Sequence, residues 1–315
     1  GHDALAGYLR TACQCIMTKR LASEEFCGPA PRRQAVEQFM LPGSRSRKRT
    51  PVRRSFVQLR CGLEVYEVRP EREHEYTFIY MHALGGFHGG PKTITTPPRF
   101  FAMSQRWPKN MRLVVPMAPW RAMTFADGRE MYAWFDYLST SGGRHQDPID
   151  ESHLLHMRKS LHELISQEAD LISGDHTRIF LGGMSQGCCM GLDAFVHYPQ
   201  PLGGFCGLAG FVMDSTSEAV IRRSAQKETK IALFNGCNDR ICRQAWVRPA
   251  NQRLAAGGFD QVSNHFEKYV CHALGGWEQW WILEFVREMC QISSDGEDTG
   301  SSQGASDCGS QKVAD

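Results

Sequence analysis

Five short apolar runs punctuate the middle of the chain: "YTFIYMH" (residues 76–82), "MRLVVPM" (111–117), "TRIFLGG" (177–183), "GGFCGLAG" (203–210) and "KIALFNG" (230–236). Each is too short for a helix that packs on its own, and each holds or ends on glycine or proline, except the first, which leads straight into "ALGG". Runs of this kind suit strands buried on both faces of a parallel sheet. Helix-compatible segments separate several of them. In residues 150–172 ("DESHLLHMRKSLHELISQEADLI"), Leu154, Leu155, Met157, Leu161, Leu164 and Ile165 form an apolar stripe behind Asp150, which is placed to cap the first turn. Residues 278–290 read as a closing helix, and "LEVYEVR" (63–69) alternates as a half-buried strand. The alternation predicts an α/β fold with a mainly parallel central sheet and helices on both faces, whose function sits at the carboxyl ends of the strands.

The flanks read differently. Residues 1–55 form an N-terminal extension, partly helical or disordered, with a basic run at 44–54 ("SRSRKRTPVRR"). Residues 291–315 are rich in Ser, Gly and Asp and are expected to be disordered, because they hold too little apolar surface to offset chain entropy. The folded domain is therefore expected over residues 56–290. A net charge of +2 predicts no bulk attraction to nucleic acid or membrane, and the basic run reads as a solvated linker. No stretch approaches the roughly 20 apolar residues of a membrane span. The 12 cysteines lack metal or disulfide spacing, and with no secretory signal they read as reduced thiols of a cytoplasmic protein, organelle targeting by the extension being left open.

The chemistry is concentrated in "RIFLGGMSQGCCMGLDAF". Residues 183–187, Gly-Met-Ser-Gln-Gly, match G-x-S-x-G between an apolar strand and a helix-compatible run, the setting in which a sharp turn exposes the serine Oγ. Serine needs a base, and the base an orienting acid. On the α/β-hydrolase fold these follow in the order acid, then histidine. Asp239, just past the strand at 231–234, is the preferred acid. Asp214, placed to cap a helix at "DSTSEAV", and Asp260, at the wrong end of the last strand, are its rivals. His272, just after the strand-like run "NHFEKYV", is preferred as base over His265, expected at the start of that run and away from the site. His197 reads as a surface or packing residue.

With these residues in place, the chain resembles the acyl-protein thioesterases and their carboxylesterase and lysophospholipase relatives over about residues 64–290. "LGGMSQG", "VVPMAPWRAMT", the Trp134-Phe135-Asp136 segment, "PLGGFCGLAGF" and the helix at 150–172 resemble family blocks in the family's order. The resemblance implies an α/β-hydrolase that cleaves acyl thioesters or carboxylic esters through a Ser185–His272–Asp239 triad and an acyl-enzyme, depalmitoylation included. It implies an oxyanion hole built from the backbone N–H groups of Leu84 and Gln186, and no metal or other cofactor. The partners implied are S-acylated proteins, lysophospholipids or small esters. The alternative is a silent relative that binds acylated proteins or lipids, suggested by departures from the family's usual residues: Ala83 for glycine, Gly86 for aspartate, Met117 for histidine, Asn235 for histidine and Arg240 for proline. The pentapeptide "HALGG" occurs at residues 82–86 and again at 272–276. The first copy is expected to supply the Leu84 N–H, with His82 mainly structural, and the second the His272 imidazole.

Overall fold

The computed structural model describes residues 55–58, 62–86, 106–144, 146–272 and 277–290. The expected extension up to residue 54, the tail from 291 and residues 273–276 of the second "HALGG" copy lie outside the described residues.

Eight strands form one sheet in the order β1-β2-β4-β3-β7-β8-β9-β10: β1 (Ser55–Gln58), β2 (Glu64–Val68), β3 (Tyr76–Met81), β4 (Met111–Pro116), β7 (Ile179–Met184), β8 (Gly204–Leu208), β9 (Ile231–Gly236) and β10 (Val262–Glu267). From β4 to β10 all neighbours are parallel; β2 runs antiparallel to both β1 and β4. The two-residue period of the strands sorts their side chains into two cores. Ile79 and Met81 of β3, Leu181 of β7 and Leu233 of β9 join one; Phe78 and Tyr80, Phe180 and Phe234 join the other. This is why these strands read as continuous apolar runs: both faces are covered.

The first core packs under α1 (Glu151–Asp170), α2 (Gln186–His197), α3 (Glu218–Arg223) and α4 (Gln244–Ala256), and the second under α5 (Trp277–Met289), through Ile282, Leu283, Phe285 and Val286. Asp150 caps α1, its carboxylate accepting from the Ser152 and His153 N–H groups at 2.9 and 3.1 Å. The parallel strands deliver their carboxyl ends, and the loops that follow, to one edge of the sheet.

Three local expectations are corrected. Leu155 is 56% exposed, so the buried stripe of α1 is narrower than its apolar letters suggest. Asp214 caps nothing; the cap of α3 is Ser217, whose side chain accepts from the Val220 N–H. The last strand begins at Val262, before "NHFEKYV", and ends at Glu267, so His265 lies within it, its ring stacked on Phe234 and Trp281 at 5.3 Å from each. An antiparallel ribbon, β5 (Trp120–Met123) with β6 (Arg129–Tyr132), stands outside the main sheet.

Candidate active site

The turn from β7 into α2 holds Ser185 at φ 54°, ψ −123°, a left-handed backbone that side-chain-bearing residues rarely adopt. Two interactions hold it there. The Ser185 N–H donates to the Leu208 carbonyl on the adjacent strand at 2.8 Å, and the Ser185 carbonyl accepts the first helical bond, from Cys189 N–H, at 3.1 Å. Gly187 is required by a close approach: a Cβ there would sit 2.3 Å from the His82 carbonyl oxygen and 2.4 Å from that of Met81. Gly187, two residues after the serine, is thereby pressed against the end of β3.

Asp239 lies in the turn that follows β9. Its Oδ1 accepts from the Ile241 and Cys242 N–H groups, each at 2.8 Å, which fixes the carboxylate plane. Its Oδ2 faces His272 Nδ1 at 2.8 Å, and His272 Nε2 lies 2.9 Å from Ser185 Oγ. An ionised carboxylate only accepts, so the partners assign the proton to Nδ1 and leave the Nε2 lone pair to the serine hydroxyl. The Asp239 side chain is fully buried while that of His272 keeps 14% of its surface, so the carboxylate is dry and the imidazole is reachable. The structure thus brings Ser185, Asp239 and His272 together in one hydrogen-bonded chain, from three loops at the same sheet edge.

The rival residues lie elsewhere. Asp214 is solvent-facing and pairs with Arg253 at 3.5 Å. Asp260 precedes β10 and donates its N–H to the Lys227 carbonyl. His197 bonds the Asp193 carbonyl through Nδ1 at 2.8 Å.

His82 is built into the loop after β3. Its Nδ1 donates to the Ala83 carbonyl at 2.7 Å and its Nε2 accepts from the Ala118 N–H at 3.0 Å. The ring is fully buried, and burial pushes its pKa down to about 4, so it is neutral at physiological pH. The same loop is closed on its far side by the Gly85 N–H donating to the Tyr132 carbonyl at 2.8 Å. Between these ties, Leu84 shares a small cavity with Ser185, Gln186 and Cys242. The Gln186 N–H is the first of α2, so it has no partner within the helix. Ala83 does not take a positive φ, so a side chain in place of the family's glycine costs the turn nothing. At Gly86 (φ 72°), a Cβ would meet the Tyr132 ring at 2.9 Å, which accounts for the absence of aspartate there.

Three supporting side chains make contacts that no motif announced. The buried Gln186 amide accepts from the Trp134 N–H at 2.9 Å and donates to the Phe135 carbonyl at 2.8 Å. The Trp134 indole N–H donates to the His82 carbonyl at 2.8 Å. Gln146 bridges two loops, donating to the Val212 carbonyl at 3.0 Å and accepting from the Asp214 N–H at 2.8 Å. Beside the small cavity at Ser185 lies a second, of about 160 Å³, sharing Tyr137, Cys189 and Phe211 with it and extending to Phe135, Ile149 and Met213. Burial pushes the Cys189 thiol up to about 12 and raises that of Cys188 well above its ordinary value, so both are protonated packing groups.

The comparisons place the chain in a family. The phospholipase/carboxylesterase family profile matches residues 64–279. Carboxylesterase SOBER1 of Arabidopsis thaliana is 31% identical over 224 residues, covering 69% of this chain and 92% of the relative. Acyl-protein thioesterase 1 of Schizosaccharomyces pombe is 34% identical over 178 residues, covering 55% and 73%. The crystal structure of Arabidopsis thaliana SOBER1 superposes with a TM-score of 0.59 at 25% identity, over 69% of this chain and 99% of the other. With its mostly parallel sheet and the profile match over more than half its length, the chain belongs to the phospholipase/carboxylesterase family of α/β-hydrolases.

Proposed function

We propose that this protein hydrolyses acyl thioesters and carboxylic esters, with Ser185 as nucleophile, His272 as general base and acid, and Asp239 as the group that orients and stabilises the imidazole. The observation that carries this reading is the continuous chain from Asp239 Oδ2 through both ring nitrogens of His272 to Ser185 Oγ, at 2.8 and 2.9 Å. In the acylation step the Ser185 oxygen attacks the substrate carbonyl as its proton passes to His272 Nε2. The carbonyl oxygen gains the charge, and the backbone N–H groups of Leu84 and Gln186 receive it. Collapse of this adduct expels the thiol or alcohol, which takes the proton from His272. Water then repeats the sequence on the acyl-enzyme, and the free acid leaves. Preorganised N–H donors act on charge that exists only in the transition state, so each is worth roughly 3–4 kcal/mol.

The acyl chain is assigned to the cavity of about 160 Å³ beside Ser185, walled by Phe135, Tyr137, Phe211 and Met213. Its volume and its aromatic wall suit a short to medium acyl tail within that space. The names of the relatives, acyl-protein thioesterase and carboxylesterase, support S-acylated proteins and small esters as substrate classes. The test is a fluorophosphonate probe, expected to label the protein at Ser185 and to leave Ser185→Ala unlabelled, together with a thioester and oxyester panel across acyl lengths. A folded protein that binds acyl ligands, resists the probe and turns over no member of the panel would replace this reading with that of a binding protein.

A further inference from the structure

Cys242 has a thiol that no step of the hydrolysis uses, yet it is held against the reacting groups. Its N–H donates to Asp239 Oδ1 at 2.8 Å, so the turn that fixes the carboxylate fixes the thiol as well. The Cys242 Sγ, an Asp239 carboxylate oxygen and a His272 ring nitrogen all lie within 4.8 Å of one another. We propose that Asp239, Cys242 and His272 form an inhibitory binding site for a borderline-soft divalent cation, Zn²⁺ being the best fit.

The donor set is the first argument. One sulfur, one nitrogen and one oxygen match the ligands Zn²⁺ takes at about 2.0–2.3 Å, and three protein donors leave a fourth tetrahedral position for water or Ser185 Oγ. Donors on a tetrahedral ion at those bond lengths stand roughly 3.5 Å apart, so closing on the metal needs side-chain movements of about 1 Å. Charge is the second. Binding displaces the Cys242 proton to solvent, and the resulting thiolate together with the Asp239 carboxylate neutralises the dication, so no net charge is left in a buried site. Mg²⁺ and Ca²⁺, which prefer oxygen ligands in higher number, do not fit. Access is the third: Cys242 lines the same cavity as Ser185.

Inhibition follows from the imidazole. A metal on Nδ1 forces the ring proton onto Nε2, which then donates to Ser185 and cannot accept from it. A metal on Nε2 occupies the lone pair directly. Either way the base is lost while the fold is kept.

The inhibitory half of this proposal rests on the hydrolase reading; the binding half does not, and two arms separate them. In the first, Zn²⁺ is titrated into the turnover assay, each protein being scored against its own metal-free rate. Wild type is expected to lose activity and regain it with EDTA, and Cys242→Val, which keeps the backbone N–H, to need about tenfold more Zn²⁺ or higher still. In the second, Co²⁺ is added to the Ser185→Ala protein. A thiolate-to-cobalt absorption band is expected, displaced by Zn²⁺ and missing when Cys242→Val is added. Equal Zn²⁺ sensitivity of wild type and Cys242→Val, equal inhibition by Mg²⁺, or a cobalt band that is absent or independent of Cys242 would overturn the proposal. A cobalt band that depends on Cys242, in a protein that proves to have no hydrolase activity, would uphold the binding half and remove only the hydrolase reading.

Discussion

His82 and His272 open the same pentapeptide, follow strands at the same edge of one sheet, and end in opposite circumstances. His82 has both ring nitrogens engaged by backbone, at 2.7 and 3.0 Å, and is fully buried. His272 spans a carboxylate and a hydroxyl and keeps part of its surface open. A backbone partner on each side makes an imidazole a rigid brace, whereas an acid on one side and a hydroxyl on the other makes it able to shift a proton. Role follows from partners and exposure, which the five shared letters do not encode.

Substitution at the two histidines is the most direct way to break the comparison. His272→Ala is expected to lower kcat by about 10⁴-fold with the melting temperature little changed, read by steady-state kinetics alongside calorimetry. His82→Ala should do the reverse in kind: it strands the Ala118 N–H and the Ala83 carbonyl, and a loss of about 3 kcal/mol is expected in denaturant unfolding, with a smaller fall in kcat. If folded His82→Ala were inactive and His272→Ala active, the two roles would have to be exchanged. Acid sharpens the contrast. In the unfolded chain His82 takes up a proton near its ordinary value of 6.5, but in the folded protein only near 4. Its stabilising share is therefore present in full above pH ~6.5 and lost as pH falls towards ~4, up to about 3 kcal/mol. Unfolding free energies measured across that window should slope less in His82→Ala than in wild type; equal slopes would mean that His82 is not held neutral. The smallest effect is expected from Gly187→Ala, about 2 kcal/mol, because the added Cβ must push the His82 carbonyl away.

The parallel strands were legible because burial on both faces writes them as unbroken apolar runs. The ribbon of β5 and β6 was not, since Trp120, Arg121, Arg129 and Glu130 face outward or partly outward and leave no such run. β10 was misplaced for a related reason: its alternating exposure makes "VSNHFE" look weaker than the "YV" that follows it. Ser185, Asp239 and His272 could be picked out from a motif, a strand end and chain order, and they meet in the structure. The brace around them could not be. Gln186 reaches residues 51 and 52 positions away, and His82 reaches Ala118, 36 positions on, through backbone atoms that any sequence would supply. Cys242 escaped notice for the opposite reason: it is close to Asp239 in sequence, but nothing in its letters says that its sulfur faces the same side as the imidazole.

The backbone at Ser185 sets foldability against activity at a single position. A side-chain-bearing residue at φ 54°, ψ −123° costs on the order of 1–3 kcal/mol, and glycine would hold the same shape for less. A Ser185→Gly chain is therefore expected to melt at a higher temperature than the native one. Laboratory evolution that rewarded heat resistance alone would discard this serine early.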